Sequence, residues 1–150
     1  MVVVVAALAV TIAPRLIRTN APAGETTASG DLVFSTQDIG TQASYFDYDA
    51  DGQIMEVFAV RAGDGTVRLA LNTCQVCNGS PYAYFVEQNG YFICQNCGNA
   101  FAAASVGKIS GGCNPVPITQ DVYQEKDGVI TIPASFLEGN AYRFTRWKQF

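Results

Sequence analysis

The chain has 150 residues, of which 49% are hydrophobic and 15% are charged. This composition suits one folded domain with a sizeable core and excludes a disordered chain. The net charge of -4 provides no basic surface for nucleic acid, so we expect no DNA- or RNA-binding role.

The first thirty residues differ in composition from the rest of the chain. A nearly continuous apolar run covers residues 1–13 and ends at Pro14. It is shorter than the ~20 apolar residues of a membrane-spanning helix, so we interpret it as the remnant of a longer membrane anchor, with a buried valine-rich strand as the alternative. Small and polar residues at 19–30 predict a linker. The predicted domains are an N-terminal segment at 1–30 and a β-rich metal-binding domain at 31–150.

Four turn signals predict β-hairpins in the second of these domains. They are Asp51-Gly52, Asp64-Gly65, Asn89-Gly90 and Asp127-Gly128. The strands predicted around them are 32–34, 43–48, 53–61, 66–72, 82–88, 91–93, 122–126, 129–132 and 142–148. Short helical turns are predicted at 99–104 and 134–137. We therefore expect a mostly β fold of small antiparallel, barrel-like sheets without a long helix.

Two C-x-x-C pairs carry most of the functional information. Cys74 and Cys77 form the first pair, Cys94 and Cys97 form the second, and Cys113 follows in a Gly-Gly-Cys-Asn-Pro turn. The spacing between the pairs is typical of a site with four thiolate ligands. Paired thiolates from two separate turns can bind one ion with tetrahedral geometry. The pattern predicts a metal site on the four paired cysteines, with Cys113 as a further candidate ligand.

The pattern does not identify the metal. Zinc, a single iron, an iron–sulfur cluster and copper(I) all accept thiolate ligands, and the spacing alone favours zinc. Disulfides are the alternative to a metal site, and a buried packing thiol is the alternative role for Cys113. Because the chain has no histidine, it lacks an imidazole ligand and an ordinary catalytic triad. We predict no catalytic residues.

The order of strands and loops between residues 71 and 132 resembles a Rieske domain. A strand, a cysteine loop, a hairpin and a second cysteine loop are followed by a Gly- and Pro-rich loop at 111–117. Rieske proteins clamp a [2Fe–2S] cluster between two such loops, each supplying one Cys and one His. Here Cys77 and Cys97 stand at both histidine places, so the layout is Rieske-like but a true Rieske centre is excluded.

The chain more closely resembles the FtrD-like family, membrane-associated iron–sulfur proteins linked to bacterial iron uptake. The motifs that carry this resemblance are Asp-Ala-Asp-Gly at 49–52, Asn-Thr-Cys-Gln-Val-Cys at 72–77, Tyr-Phe-Ile-Cys-Gln-Asn-Cys-Gly at 91–98, Phe101, and Gly-Gly-Cys-Asn-Pro at 111–115. The resemblance implies metal on the four paired cysteines with Cys113 close by. It also implies that the N-terminal segment associates with a membrane and that the domain lies outside the cytoplasm. The implied partner is a membrane permease or a redox protein.

The leading functional hypothesis is one-electron transfer by a thiolate-bound iron or iron–sulfur centre associated with iron transport. Four thiolates place more negative charge on iron than mixed His and Cys ligands, which favours Fe(III) and lowers the reduction potential. One alternative is a structural zinc site in an interaction domain. The other is a copper or iron carrier in which Cys113 is an exchangeable ligand.

Overall fold

The computed structural model describes residues 23–150. The predicted membrane anchor and the start of the predicted linker lie outside these residues, and the predicted domain boundary at residue 30 stays a prediction. Within the linker, Glu25–Thr26 forms a short strand, β1, that pairs with the next strand. No helix between residues 23 and 150 combines the length and hydrophobicity needed to cross a bilayer.

Strands dominate the described part of the chain, with 41% of residues in strands and 12% in helices. After β1, the strands are β2 Leu32–Ser35, β3 Ser44–Ala50, β4 Gln53–Arg61, β5 Val67–Cys74, β6 Phe85–Gln88, β7 Tyr91–Cys94, β8 Ala100–Ala102, β9 Pro115–Ile118, β10 Gln124–Lys126 and β11 Val129–Ile132. The helix α1 is Ala134–Gly139, and 3-10 helices lie at Thr36–Asp38, Ala103–Ser105 and Ala141–Phe144. The predicted mostly β class is confirmed, although none of the described sheets closes into a barrel.

Tight turns connect the hairpins at the predicted positions. In Asp51-Gly52, Asn89-Gly90 and Asp127-Gly128 both residues have positive φ, as a type I′ turn requires. At Asp64-Gly65 only Gly65 has positive φ, at 81°. The dipeptides therefore predicted the hairpin positions correctly, including the one at which the turn type differs.

The strands form three antiparallel sheets. We name them the outer sheet (β1-β2-β11-β10), the central sheet (β3-β4-β5-β9) and the small sheet (β6-β7-β8). Alternation along β4 sends Met55 and Val57 into a larger core against the outer sheet, and Phe58 and Val60 into a second core against the small sheet. The central sheet is thus buried on both faces.

The C-terminal segment differs from its prediction. A strand was expected at 142–148, but this region contains the 3-10 helix Ala141–Phe144 followed by turns. Phe144 and Trp147 lie three residues apart, both are buried, and their ring centroids are 5.3 Å apart. Helical spacing brings these two aromatic side chains to the same face, whereas a strand would have placed them on opposite faces.

Two strands near the cysteines were not predicted. The segment 99–104 was expected to be a helical turn, but Ala100–Ala102 forms β8, and a 3-10 turn follows only at 103–105. Pairing with β7 places Phe101 opposite Phe92 in the second core. Strand β9 carries two prolines and lies at the edge of the central sheet, where a strand needs fewer backbone N–H donors.

Candidate metal centre

The cysteines lie within, or directly before, three loops at one end of the small sheet. Loop 1 (75–84) joins β5 to β6, loop 2 (95–99) joins β7 to β8, and loop 3 (106–114) leads into β9. Cys74 is the last residue of β5, and Cys94 is the last residue of β7. Two of the thiols are therefore held at strand ends, while the other three lie within the loops.

The structure brings four sulfur atoms into one cluster. The Sγ atoms of Cys74, Cys77, Cys94 and Cys113 all lie within 4.8 Å of one another. We call these residues the sulfur quartet. Cys97 is not part of it, but its Sγ lies 2.7 Å from that of Cys113. All five cysteines are free thiols, so the disulfide alternative is not the form observed.

The spacing of the quartet fits a single tetrahedral ion. Metal–thiolate bonds of about 2.3 Å give a tetrahedron whose sulfur atoms are roughly 3.8 Å apart. The Sγ atoms of Cys74 and Cys113 are 3.4 Å apart, and the whole set falls within 4.8 Å. Small side-chain adjustments would complete four-thiolate coordination. The residues present therefore fit a thiophilic ion, and their donor set excludes hard ions that prefer oxygen ligands.

Burial of the thiols is graded from the protein interior to the surface. Cys74 is 0% exposed and Cys94 is 1% exposed, and both belong to the second hydrophobic core. Cys77 and Cys113 are partly buried, whereas Cys97 is exposed. A bound ion would thus have an apolar side toward the small sheet and one edge near solvent.

Gln75 joins loop 3 to loop 1 through both its side chain and its backbone. The side-chain Nε2 donates to the Pro115 carbonyl at 3.0 Å, and Oε1 accepts from the Gly111 N–H at 2.9 Å. The backbone N–H of Gln75 donates to the Asn114 carbonyl at 3.0 Å. These bonds reach both sides of Cys113 along the chain. Its position is therefore fixed relative to the first cysteine pair.

Loop 2 is joined to the same segment by Asn99. Its Nδ2 donates to the carbonyl of Cys113 at 2.8 Å. The residue that supplies the fourth sulfur of the quartet is therefore tied to both other cysteine loops. Neither Gln75 nor Asn99 was predicted to support the site, because nothing in the sequence pattern distinguishes an amide that bridges loops from one that faces solvent.

Asn72 holds the strand that leads into loop 1 against the small sheet. Its side chain is 1% exposed. Oδ1 accepts from the Phe85 N–H at 2.7 Å, while Nδ2 donates to the Phe85 carbonyl at 3.2 Å and to Glu56 Oε1 at 2.6 Å. The end of β5, with Cys74, is thereby locked to the start of β6. Nothing in the sequence around Asn72 indicates this role.

The local environment changes the pKa values of the cluster thiols in opposite directions. Burial raises the pKa of Cys77, Cys94 and Cys113. The hydrogen bond from the Cys113 thiol lowers the pKa of Cys97. Backbone N–H groups of Cys97 and Asn96 donate to the Cys94 sulfur and oppose the effect of burial there. The buried thiols are therefore poor thiolates until a cation replaces their protons.

Comparison with known proteins assigns a family to this arrangement. A family model described as "Membrane iron-sulfur containing protein FtrD-like" matches residues 39–144. The resemblance inferred from the cysteine motifs is thereby confirmed. No curated protein and no solved structure matches the chain.

Proposed function

We propose that this chain, which belongs to the FtrD-like family, is an electron-transfer module built on a single iron ion bound by cysteine sulfurs. The observation that carries the proposal is the convergence of four free thiols within 4.8 Å of one another. One iron bound by four thiolates is the simplest iron–sulfur centre, which agrees with the description of the family. An iron–sulfur cluster places inorganic sulfide between its irons and therefore suits more widely separated thiolates.

The residues around the quartet suit one-electron chemistry. Bound iron supplies a centre that alternates between Fe(II) and Fe(III). Four thiolates concentrate negative charge there and favour the oxidised form. The Cys77 N–H lies 3.4 Å from the Cys74 sulfur, and N–H donors to a ligand sulfur moderate this charge and raise the potential. The second core shields the inner side of the quartet from water, so few water molecules have to reorient when the charge of the ion changes.

The exposed edge of the site provides a short path for electrons. Cys97 is exposed, and Val76, near the start of loop 1, is 67% exposed. A redox partner that covers these two positions would approach the quartet without displacing a sheet. We propose a membrane permease or a membrane-bound redox protein as this partner, with ferric iron as an electron acceptor during iron uptake. Support comes from the family description, which names a membrane protein that contains iron and sulfur.

Anaerobic purification from cells supplied with both iron and zinc tests the proposal. We expect about one iron per chain, no acid-labile sulfide, visible thiolate-to-iron absorption, and a reversible one-electron step in a potentiometric titration. Cys74→Ser should lose the absorption. Val76→Ser introduces the same residue at an exposed position of the same loop and should retain it. If the analysis finds stoichiometric acid-labile sulfide, the centre is an iron–sulfur cluster and not a single iron ion. An iron centre that cannot be reduced and reoxidised would exclude electron transfer.

A structural zinc site is the second candidate. It is favoured by the same tetrahedral spacing and by the incorporation of Cys74 and Cys94 into a hydrophobic core. Zinc would fix the three loops in an interaction domain and would have no redox role. A colourless, fully metallated protein from the mixed-metal culture would establish this alternative and reject the iron centre.

A further inference from the structure

We infer that Cys113 is the resident fourth ligand of the metal, and that Cys97 is an outer thiol through which the ion enters and leaves. The inference rests on the proposed function only in requiring a four-thiolate site. It differs from the ligand set expected from two C-x-x-C pairs, in which Cys97 binds the ion and Cys113 is the exchangeable residue. The difference concerns which of two neighbouring sulfurs completes the coordination.

The first observation is the position of the two sulfurs. Cys113 Sγ lies 3.4 Å from Cys74 Sγ and belongs to the quartet, whereas Cys97 lies outside it. Cys113 Sγ is also only 2.7 Å from Cys97 Sγ. Cys97 therefore contacts the quartet from its exposed side, and its sulfur also lies within hydrogen-bonding reach of those of Cys77 and Cys94. An ion that enters from this side meets Cys97 before it reaches the quartet.

The second observation is the support of each backbone. The carbonyl of Cys113 accepts from Asn99 Nδ2, and its neighbours on both sides bond to Gln75. A ligand fixed by two other loops is positioned before the ion arrives, which lowers the entropy cost of coordination. Cys97 lies on the exposed turn of loop 2, and its backbone N–H donates to the Cys94 sulfur of the same C-x-x-C pair. The rigid thiol suits a resident ligand, and the exposed thiol suits exchange.

The exchange step is a substitution of ligands without electron transfer. A thiophilic divalent ion would bind first to the Cys97 thiolate. Cys74, Cys77 and Cys94 would each release a proton to solvent as they bind the ion. The bond from the metal to Cys97 would then break as the bond to Cys113 forms; the Cys113 thiol would release its proton to solvent, and the Cys97 thiolate would regain one. Charge and protons balance, and no oxidant is needed. Reversal of the same step releases the ion.

Thiol alkylation of the full wild-type chain tests the ligand assignment without a mutation. The protein is loaded with zinc, treated with iodoacetamide, and mapped by peptide mass spectrometry. Metal-bound thiolates are protected from alkylation, so we expect Cys97 to be labelled and the quartet to remain unlabelled. Labelling of Cys113 with protection of Cys97, or protection of all five thiols, would overturn the assignment. Because zinc is the probe, the result does not depend on whether the native ion is iron.

Transfer of zinc to a chromophoric chelator tests the exchange role. Cys97→Ser should bind one zinc, yet release it on the order of 10-fold more slowly than the wild type. Ile109→Ser, at a 47% exposed position of loop 3, should release zinc at the wild-type rate. An unchanged rate in Cys97→Ser would overturn the exchange role. Cobalt loading tests which thiol is the fourth ligand. In the cobalt-loaded protein, Cys113→Ser should lose about a quarter of the thiolate charge-transfer intensity. The same loss in Cys97→Ser would show that Cys97 binds the ion and would overturn the assignment of Cys113. If Cys113→Ser does not fold, the alkylation pattern decides.

Discussion

Replacing Asn72 by alanine should destabilise the domain by about 3 kcal/mol. The substitution removes two hydrogen bonds to the backbone of Phe85, at 2.7 and 3.2 Å, and one to the Glu56 carboxylate at 2.6 Å. A neutral hydrogen bond contributes about 1 kcal/mol, a bond to a charged group about 1.5–3, and a buried N–H left without a partner costs about 1–3. Phe85 is 1% exposed, so water cannot easily satisfy its N–H. Because these contributions overlap, their sum is an upper limit.

Guanidinium unfolding of the reduced, metal-free protein measures this loss. Trp147 is the only tryptophan, is 8% exposed, and donates its indole N–H to the Asn72 carbonyl at 2.7 Å. That carbonyl remains in Asn72→Ala, so fluorescence reports unfolding in both proteins. A loss of about 3 kcal/mol corresponds to a Tm roughly 10 °C lower in a domain of this size.

Asn78→Ala is the matched control for this experiment. The Asn78 side chain is partly buried and donates a single hydrogen bond, to the Gln75 carbonyl at 2.9 Å. Its removal should cost less than about 1 kcal/mol. If Asn72→Ala costs no more than this control, the buried amide does not hold β5 to β6, and the account of how Cys74 is positioned fails.

Three further predictions concern the cluster, the second core and loop 3. Because burial raises the pKa of three quartet thiols, metal binding must displace protons, and zinc affinity should rise as pH increases between about 6 and 8; an affinity independent of pH would contradict this. Phe92→Ala should lower the free energy of unfolding by about 3–5 kcal/mol, since this fully buried ring stacks on Phe58. Phe150→Ala, at an 80% exposed position, should leave the free energy of unfolding almost unchanged. Gly107→Ala should cost about 1–2 kcal/mol, because φ is +71° and a Cβ would lie 3.3 Å from the Leu69 carbonyl oxygen. Gly79→Ala, where a Cβ would meet no neighbouring atom, should be neutral. Equal stabilities of the two variants would show that loop 3 does not need a glycine at position 107.

Much of the fold was predictable because hairpins have local signals. Asn-Gly and Asp-Gly pairs tolerate the positive φ of tight turns, and the alternating residues beside them fix which side chains face the core. Strand β9 was missed because its prolines argue against a strand, and only its edge position makes them acceptable. The expected strand at 142–148 was wrong because burial of Phe144 and Trp147 requires helical spacing.

The site was predictable in composition but not in arrangement. Cysteine spacing indicated which residues could bind a metal, since two C-x-x-C pairs imply two ligand loops. It gave no distance between loops 2 and 3, and so could not distinguish Cys97 from Cys113. That distinction depends on tertiary hydrogen bonds from Gln75 and Asn99, whose partners lie 14 or more residues away in sequence. Contacts of this kind have no local pattern.

The division into two cores separates folding from metal binding. The larger core, between the outer and central sheets, contains none of the cysteines, whereas the second core includes Cys74 and Cys94. We therefore expect metal-binding free energy to act mainly on the small sheet and its loops, and the larger core to stabilise the rest of the domain whether or not the metal is bound. Two quartet sulfurs lie at or near the ends of buried strands, and the other two lie in loops tied by amide side chains. We therefore expect the domain to lose and regain its ion without unfolding. Both the proposed electron transfer, with occasional reloading of the ion, and the proposed metal exchange through Cys97 require this.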